Sequence, residues 1–402
     1  MPGPLDNVRV IDLTTMVSGP LGAMILADQG ADVIKVEAPG IGDHSRHVAT
    51  RRGGLSASFL NNNRNKRSIA LDLKHADGVA ALKQLIAGAD VIMQNFRPGV
   101  VERLGIGYED ARAIKPSIIY ASITGFGETG PYAGKPVFDP LIQSLSGLTT
   151  VQAGSDLRRP ALVRTILPDK LTGFTIAQAI SAALFSRERA GQGEGQHIRL
   201  SMLDTVISFL WSSDMGGITF VDNEIEAETA QSFIDLIYET SDGYISVAAF
   251  RRIDWVKLAQ ACEHPEWIDD PRFLTSEGLE IHKPERLELT QQALRNRSSA
   301  EWIAHLDAHD VPCAPVLTRR EMISHPQVVE NGIIVETNHP KAGRLRQSRT
   351  PAHFSGTPTE HRRGGPELGG DTREILAEAG YSATEIDTLI KTGAASEQKE
   401  EV

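Results

Sequence analysis

The sequence is poor in cysteine and has no long apolar segment. Cys262 and Cys313 are the two cysteines among 402 residues, too few for a disulfide framework or a thiolate metal cage. No run of 18 uninterrupted apolar residues occurs, so no segment is predicted to span a membrane. The first residues also lack the charged and apolar regions of a signal peptide. These absences together predict a protein of the reducing cytoplasm.

The sequence also lacks an excess of basic residues. Its 41 Lys and Arg are outnumbered by 52 Asp and Glu, giving a formal net charge of −11, which argues against a nucleic-acid partner. The 12 histidines show no His-Glu-x-x-His spacing, so no metal site is predicted. Because 402 residues exceed what one core usually holds, two domains are expected.

Three common nucleotide-binding and hydrolase motifs are missing. The segment after the first predicted strand, Gly19-Pro20-Leu21-Gly22-Ala23, does not have the Gly-x-Gly-x-x-Gly spacing, and Pro20 removes one amide. An NAD site is therefore disfavoured, although Glu37 stands where a ribose-binding acid is expected. Neither a Gly-x-x-x-x-Gly-Lys-Ser/Thr loop nor a Gly-x-Ser-x-Gly elbow is present.

What the sequence does contain is an alternation of strand-like and helix-like segments over its first half. The predicted strands are residues 8–13, 31–37, 68–73, 90–96, 117–123 and 196–202. The predicted helices lie between residues 20 and 29, at 76–87 and at 172–188. This alternation predicts an α/β fold with a doubly wound, mostly parallel, Rossmann-like sheet.

The pattern changes after about residue 224. Segments 233–240 and 244–249 flank the Asp-Gly turn signal of a hairpin, and short amphipathic helices follow at 255–261, 285–296 and 300–309. Two prolines place residues 311–316 at a sheet edge or in a linker. A smaller α+β domain is therefore predicted. Residues 344–370 are expected to be irregular, and two helices at 372–379 and 384–391 close the chain.

Residues 167–173 (LPDKLTG) contain the most informative carboxylate. Asp169 lies between a β-like segment at 160–166 and a predicted helix that begins near Thr172. At such a junction, a carboxylate can cap the helix by accepting a hydrogen bond from an unpaired amide. It can also be presented at the rim of a sheet as a nucleophile. The local sequence by itself favours the cap, and both interpretations stay open at this point.

Three basic clusters occur in this acidic chain: Arg51-Arg52, the segment 61–67 (NNNRNKR), and the pair Arg97 and Arg103. Solvated surface charge is a reasonable interpretation of the first cluster. Arg97 and Arg103 follow the end of a predicted strand, where ligands of open α/β sheets bind. Because guanidinium groups match phosphate oxygens, this pair predicts a phosphate-bearing ligand. Phe96 beside them is equally suited to stack on a base or to pack on the core.

Taken together, these segments resemble the family III CoA-transferases, which include formyl-CoA:oxalate, carnitine and succinyl-CoA-dependent enzymes. The matching stretches, which cover nearly the whole length, are residues 13–37, 42–43, 63–74, 90–103, 125–132, 146–147, 169, 191–193, 368–376 and 380–382. The resemblance implies a large domain (1–224), a small domain (225–330), and a segment (331–402) whose helices return to the large domain. It also implies a homodimer whose subunits are threaded through each other as linked rings.

By that resemblance, Asp169 is the nucleophile of a CoA-transferase, and backbone amides near Val17 and Ser18 stabilise the oxyanion. An acyl-CoA donor, succinyl-CoA among the candidates, gives CoA to a small carboxylic acid through an acyl-aspartyl anhydride and an aspartyl-CoA thioester. CoA is a substrate, and no tightly bound cofactor is expected. The implied CoA contacts are Val17, Ser18, Ala38, Leu71, Leu73, Lys74, Asn95, Phe96, Arg97, Arg103 and Lys135. Some relatives have a basic residue at the place of Ala38 or a polar one at the place of Val17.

Two other functions are compatible with the same resemblance. An acyl-CoA racemase on this fold needs two acid/base groups, and racemase relatives have a histidine immediately before the residue that matches Asp139. Phe138 stands there instead, which disfavours racemisation. A non-catalytic CoA-binding protein would require Asp169 to be only a cap. The acid pair is not identified by the sequence, and Arg251 and Arg252 are candidates for selecting it by location alone.

Overall fold

The structure is a computed structural model that describes residues 3–191, 193–226 and 236–398. Its strands are β1 (Arg9–Asp12), β2 (Asp32–Glu37), β3 (Arg51–Arg52), β4 (Leu55–Ser56), β5 (Lys66–Leu71), β6 (Val91–Gln94), β7 (Ile119–Thr124), β8 (His197–Ser201), β9 (Ile237–Glu239), β10 (Tyr244–Val247), β11 (Cys313–Pro315), β12 (Ile334–His339), β13 (Gly343–Ser348) and β14 (Ala395–Ser396).

The α-helices are α1 (Ser18–Asp28), α2 (Ala57–Asn63), α3 (Ala76–Ala87), α4 (Val100–Arg103), α5 (Tyr108–Ile114), α6 (Asp139–Leu145), α7 (Leu148–Ala153), α8 (Leu167–Arg189), α9 (Met202–Trp211), α10 (Arg252–Ala261), α11 (Ser276–Ile281), α12 (Lys283–Leu294), α13 (Ser299–Ala308), α14 (Arg319–Ser324), α15 (Pro326–Glu330), α16 (Thr372–Glu378) and α17 (Ala383–Thr392). Within the described ranges, no helix combines the length and the apolar composition needed to cross a bilayer.

The chain divides into two compact units. One comprises Met1–Ala230 together with Gly332–Val402, and the other comprises Gln231–Asn331. The first unit is built on a seven-stranded sheet with the order β14-β5-β2-β1-β6-β7-β8. Six of these strands are parallel, and β14 runs antiparallel to β5 at the edge. The expectation of an α/β fold with a large, mostly parallel sheet is therefore confirmed.

The direction of strand addition reverses between β1 and β6. In order of appearance, the six parallel strands are arranged 3-2-1-4-5-6. In open α/β sheets, ligands bind outside the carboxyl ends of the strands at such a reversal. The loops that follow β1 and β6 are therefore the first place to look for a site.

Neighbouring residues of the central strands face opposite layers of the sheet, as the two-residue period of a strand requires. Val10, Val33 and Val91 pack with α1 and α8 on one face. Their neighbours, such as Ile11 and Ile34, pack with α3, α5, α16 and α17 on the other. Strands with both faces covered are continuously apolar. Their positions could therefore be predicted well from the sequence.

Two segments differ from their sequence-based expectations. No strand forms at residues 160–166, and α8 begins at Leu167 rather than near Thr172. Pro160 cannot donate to a ladder, and the side chain of Gln143 binds backbone groups of this segment instead. Residues 344–370 are not wholly irregular, because β13 pairs antiparallel with β12 over six residue pairs.

The second unit has its own antiparallel sheet, with the strand order β11-β10-β9. Its core is aromatic, and Trp255, Trp302 and Phe273 are each at most 1% exposed. The predicted hairpin is present as β9 and β10, although residues 233–235 of its first strand lie outside the described residues. As expected from its prolines, β11 is an edge strand.

Candidate active site

Asp169 is the third residue of α8, and the helix begins at Leu167 after the N-cap residue Ile166. Asp169 is therefore not the N-cap, and the capping interpretation of the sequence is wrong. Its backbone amide donates a hydrogen bond to Oδ2 of Asp139 at 3.2 Å. The helix N-terminus carries partial positive charge, which favours an anionic carboxylate in this first turn.

The surroundings of the Asp169 carboxyl group change its proton affinity. Burial and the negative charge of Asp139 raise the pKa of Asp169 to about 6, against hydrogen bonds from the side chain and backbone of Ser18 that lower it. Burial also raises the pKa of Asp139. At neutral pH, Asp169 is thus mostly ionised, yet more basic than an ordinary carboxylate. A half-buried carboxylate with a perturbed pKa in the first turn of a helix is a candidate nucleophile.

Glycines bring α1 and α8 close enough for Ser18 and Asp169 to meet. A Cβ atom on Gly173, one turn after Asp169, would lie 2.9 Å from the carbonyl oxygen of Ser18. One on Gly22, a turn after Ser18, would lie 2.5 Å from Cγ2 of Ile176. Real Cβ atoms do not make such short contacts, so both positions require glycine. Two helix N-termini consequently converge on one carboxylate.

Asp139 and Gln143 are functional candidates that the sequence did not single out. Nε2 of Gln143 donates to Oδ1 of Asp139 at 2.7 Å, and Oε1 of Gln143 accepts from the amide of Val163 at 2.9 Å. This pair fixes the segment that leads into α8. The sequence signal was only Asp139 followed by Pro140, which marks a helix start and says nothing about a partner thirty residues away.

Several predicted CoA-binding residues come together in one cavity of about 90 Å³. It is lined by residues of separate elements, including Ser18, Asn95, Phe96, Arg97 and Lys135. Arg97 and Lys135 bring positive charge to it. The cavity lies beside the first turn of α1, and Ser18 connects it to Asp169.

Asn95 fastens the end of β6 to the loop after β1. Its Oδ1 accepts from the amide of Thr15 at 3.0 Å, and its Nδ2 donates to the carbonyl oxygen of Thr15 at 2.9 Å. The amide of Phe96 donates to Oε1 of Gln94 at 2.8 Å. Hydrogen bonds between side chains and the backbone therefore fix the chain where the strand order reverses, between β1 and β6.

The other predicted contact residues do not line this cavity. Val17 is the N-cap of α1, and Ala38 is exposed after β2. Leu71 is 1% exposed, and Leu73 and Phe96 pack against the same apolar cluster, so core packing accounts for part of the Phe96 surface. Lys74 and Arg103 are exposed.

The basic clusters have different environments. In segment 61–67 the charges are paired inside the fold: Arg64 with Asp28, Lys66 with Asp12, and Arg67 with Asp32. This segment therefore does not form a cationic surface. Arg51 and Arg52 form the short strand β3 and are exposed, consistent with surface charge.

The two arginines suggested for acid selection both have partners within the second unit. Arg251 forms a bidentate pair with Asp254, at 2.7 and 2.9 Å. Nη2 of Arg252 donates to the carbonyl oxygen of Ile268 at 2.6 Å. Both therefore have structural roles, and their selection of the acid stays a prediction.

Neither cysteine is suited to act as the nucleophile. Burial raises the pKa of the Cys262 thiol to about 12 and that of Cys313 to about 11, so almost no reactive thiolate is present at neutral pH. Among the described residues, no group of three or more His, Cys, Asp or Glu side chains is arranged to hold a metal ion. Asp169 stays the candidate with the clearest physical basis.

The chain is similar to known proteins over most of its length. A sequence model of CoA-transferase family III matches residues 5–372. The chain is 32% identical to the succinyl-CoA:glutarate CoA-transferase of Mus musculus over 97% of this chain and 90% of that protein. It is 33% identical to the succinate–glutarate CoA-transferase of Agrobacterium fabrum over 93% and 95% of the two chains.

The fold is also shared. The crystal structure of a CAIB/BAIF family protein from Brucella suis superimposes with a TM-score of 0.82 at 30% identity, covering 94% of this chain and 100% of that one. The family match over nearly the whole length and these relatives lead to one conclusion: the chain belongs to CoA-transferase family III and is an enzyme that transfers CoA.

Proposed function

We propose that this enzyme moves CoA from succinyl-CoA to a dicarboxylic acid through covalent intermediates on Asp169. The single observation that carries the proposal is the Asp169 carboxylate, held in the first turn of α8 beside Ser18, with its pKa raised to about 6. The donor and the class of acceptor are inferred from relatives named for succinyl-CoA and glutarate.

The first half of the reaction moves CoA onto the enzyme. A carboxylate oxygen of Asp169 attacks the thioester carbonyl carbon, the C–S bond breaks, and a succinyl-aspartyl anhydride and the CoA thiolate result. The thiolate then attacks the aspartyl carbonyl carbon. The anhydride C–O bond breaks, which releases succinate and leaves an aspartyl-CoA thioester.

The second half repeats these steps with the acceptor. A carboxylate of the acceptor acid attacks the aspartyl thioester, regenerating an anhydride and the thiolate. The thiolate attacks the acceptor's acyl carbon, and Asp169 leaves as a free carboxylate. No net proton transfer is needed, and the energy of the donor thioester is kept in the product thioester.

Stabilisation of each tetrahedral oxyanion is assigned to the backbone amides at Val17 and Ser18. They lie at the N-terminus of α1, where amides without a partner inside the helix, together with the helix dipole, favour negative charge. Removing one such donor from an enzyme typically costs 10²–10³-fold in kcat. Because Val17 has no polar side chain, only its main chain can contribute.

Binding of the long CoA moiety provides orientation that a weak carboxylate nucleophile requires. Arg97 and Lys135, from the cavity beside Ser18, are assigned to its phosphates, together with exposed Lys74 and Arg103. The description of the large domain as Rossmann-like and the interlocked dimer are parts of this proposal. The strand order supports the first of them.

Racemisation of acyl-CoA esters has no support from this site. The position before Asp139 carries Phe138, which is 69% exposed and cannot exchange a proton. The two acid/base groups that α-proton exchange requires would have to come from elsewhere.

A donor and acceptor screen tests the proposed function. Succinyl-CoA is offered with glutarate, adipate, butyrate or oxalate, and new CoA esters are read by mass spectrometry. We expect glutaryl-CoA or adipyl-CoA to form at least about tenfold faster than the CoA ester of butyrate. Butyrate lacks the second carboxylate, and losing a hydrogen bond to one charged group typically has an effect of this size. Asp169→Asn, which keeps the side-chain shape, is the control and should form none. Transfer by Asp169→Asn, or no exchange with any acid, would overturn the proposal.

A further inference from the structure

The loop between β1 and α1 is held almost entirely by side chains that come from elsewhere in the fold. Asp12 Oδ1 accepts from the amide and the hydroxyl of Thr14, at 2.9 and 2.5 Å. Lys35 Nζ donates to the carbonyl oxygen of Thr14 at 2.8 Å. Asp43 Oδ1 accepts from the amide of Met16 at 3.0 Å. Together with the two bonds of Asn95 to Thr15, every backbone group from the Thr14 amide to the Met16 amide is bound.

The side chains that hold this loop form a buried ionic network. Lys35 Nζ lies 2.9 Å from Asp43 Oδ2, and Lys66 Nζ lies 2.9 Å from Asp12 Oδ2. All four of these side chains have no exposed surface. The pair Glu37 and Arg46 extends the network, since Glu37 accepts from the amide of Asp43 at 2.9 Å and from Arg46 at 2.7 Å. Its members are three carboxylates and three cations, so it is neutral as a whole.

Such a network contributes little net stability to a fold. Desolvating each charge costs several kcal/mol, and apolar replacements of similar volume are often as stable or more so. A buried network is better explained by specificity of geometry, and here the geometry it fixes is unusual. Met16 has a φ of 72°, in the left-handed region that non-glycine residues seldom adopt. Strain of this kind persists only where the surroundings enforce it.

The loop leads directly into α1, whose residue Ser18 hydrogen-bonds to Asp169. Val17 and Ser18 follow Met16 in the chain, and Lys66 Nζ also donates to the carbonyl oxygen of Pro20 at 2.9 Å, in the first turn of α1. A Cβ at Gly19 would lie 2.3 Å from Cβ of Thr14, so the loop is pressed against that turn. The network thus determines where the amides at 17 and 18 point.

We propose that the buried network of Asp12, Lys35, Asp43 and Lys66 is a positioning device that aims the amides of Val17 and Ser18 at the acyl group on Asp169. Its members do not contact the substrate. They act through the loop, which they hold in a strained shape that the loop's own sequence does not favour. The catalytic consequence rests on the proposed function of Asp169, whereas the positioning itself does not.

Two variants remove a single link each while keeping side-chain shape. Thr14→Val deletes the hydroxyl bond to Asp12, and Asp43→Asn keeps the oxygen that binds the Met16 amide but loses the charge paired with Lys35. The matched control is Asp28→Asn, which breaks the buried pair with Arg64 at the other end of α1. Ten residues of helix place it roughly 15 Å from Ser18.

The first readout is the separation of kcat from KM. We expect Thr14→Val and Asp43→Asn to lower kcat by about 10–100-fold, because misdirected oxyanion donors lose much of their effect. The KM for the acyl-CoA should change by less than about twofold under the same argument, since binding groups elsewhere are untouched. Asp28→Asn should leave both parameters near those of the wild type.

The second readout is the acidic limb of the pH profile, which a purely structural role would not move. Hydrogen bonds from Ser18 lower the pKa of Asp169, whereas the negative charge of Asp139 raises it. The positive charge of Lys170 acts on Asp139 and lowers the pKa of that carboxyl group. Displacing Ser18 should therefore move the limb to higher pH in Thr14→Val and Asp43→Asn. The limb of Asp28→Asn should stay in place.

The third readout needs no turnover, and it separates this proposal from the proposed function. Amide hydrogen exchange at residues 14–18 should become faster in Thr14→Val and Asp43→Asn and stay unchanged in Asp28→Asn. Unchanged exchange in both loop variants, or faster exchange with wild-type kcat, would overturn the positioning role. If Asp169→Ala kept its activity, the proposed chemistry would fail while the exchange experiment still decided whether the network holds the loop.

Discussion

At the scale of single residues, Asp169 and Asp139 share one small space. The backbone amide of Asp169 donates a hydrogen bond to the Asp139 carboxyl group, and the negative charge of Asp139 disfavours ionisation of Asp169. Two carboxylates close together raise each other's proton affinity. A nucleophile needs this balance, because a more basic carboxylate attacks a thioester faster but must still be ionised at working pH.

The pH dependence of turnover follows from this pair. Since the pKa of Asp169 is about 6, kcat should fall about tenfold per pH unit below that value. In Asp139→Asn the raising charge is gone, so the midpoint of this limb should move to lower pH. Steady-state rates of both enzymes, measured from pH 4.5 to 8, give the midpoints of the two acidic limbs. A limb that stays in place in Asp139→Asn would contradict the assigned coupling.

The ionised Asp169 carboxylate should also destabilise the folded protein. Its pKa is about 6 in the folded state and about 3.9 in an unfolded chain. The folded protein therefore binds this proton more tightly, and stability is lost as pH rises from about 4 through 6. At pH 7, Asp169→Asn should raise the free energy of unfolding by about 1–3 kcal/mol. Thermal denaturation of both proteins at pH 7 and pH 4.5 measures this, and the difference should shrink at the lower pH.

Sequence reasoning reached only part of the site. Asp169 and Ser18 were found because they lie in short motifs of the family. Asp139 and Gln143 bind Asp169 and the segment before it from α6. No local pattern reveals such partners, since an aspartate before a proline or at the start of a turn has the same sequence signal whether or not it binds a distant loop.

At the scale of elements, the site depends on the packing of α1 against α8. Gly22 and Gly173 each lie one turn after a site residue and allow the two backbones to approach. Gly22 belongs to segment 19–23, which lacks the dinucleotide-binding spacing. The glycines of this turn serve helix packing, which explains why they do not have phosphate-loop spacing.

Gly173→Ala tests this packing. An added Cβ would lie 2.9 Å from both the Ser18 carbonyl oxygen and the Leu21 side chain, so α1 and α8 must separate. We expect a loss of about 1–3 kcal/mol in unfolding free energy, as overpacking usually costs, and a drop in kcat well beyond that of a control. Gly356→Ala is the control, because a Cβ there has open space. Wild-type kcat in Gly173→Ala would show that the close approach is not required.

The strands of the large sheet were predicted better than the segment before α8. Buried parallel strands are continuously apolar and easily recognised, as in β1, β2 and β7. Residues 160–166 have a similar apolar content, but they are bound by Gln143 rather than by a neighbouring strand. A strand forms only when it hydrogen-bonds to a neighbouring strand, and the sequence of one segment does not identify that neighbour.

At the scale of the whole molecule, apolar side chains on two helices are left uncovered. Phe174 and Phe185 on α8 are 55% and 63% exposed, and Phe209 and Trp211 on α9 are 45% and 49% exposed. Large apolar side chains grouped on a surface typically mark an interaction site. We expect the second subunit of the proposed interlocked homodimer to cover these side chains.

Light scattering after size exclusion should therefore give twice the mass of one chain at micromolar concentration. Because linked subunits cannot separate without unfolding, mixing two differently tagged preparations should produce no mixed dimer within hours under native conditions. Refolding the mixture from denaturant should produce it. A monomer at micromolar concentration would contradict the dimer, and rapid native exchange would contradict the linkage.

In the proposed mechanism, CoA is carried for a time on the side chain of Asp169. The most direct measurement is to mix the enzyme with succinyl-CoA alone, quench it in acid, digest it and identify modified peptides by mass spectrometry, with and without hydroxylamine. We expect CoA on Asp169 in the first sample and a hydroxamate at the same residue in the second. An unmodified Asp169 in an enzyme that turns over, or a label on another side chain, would contradict it.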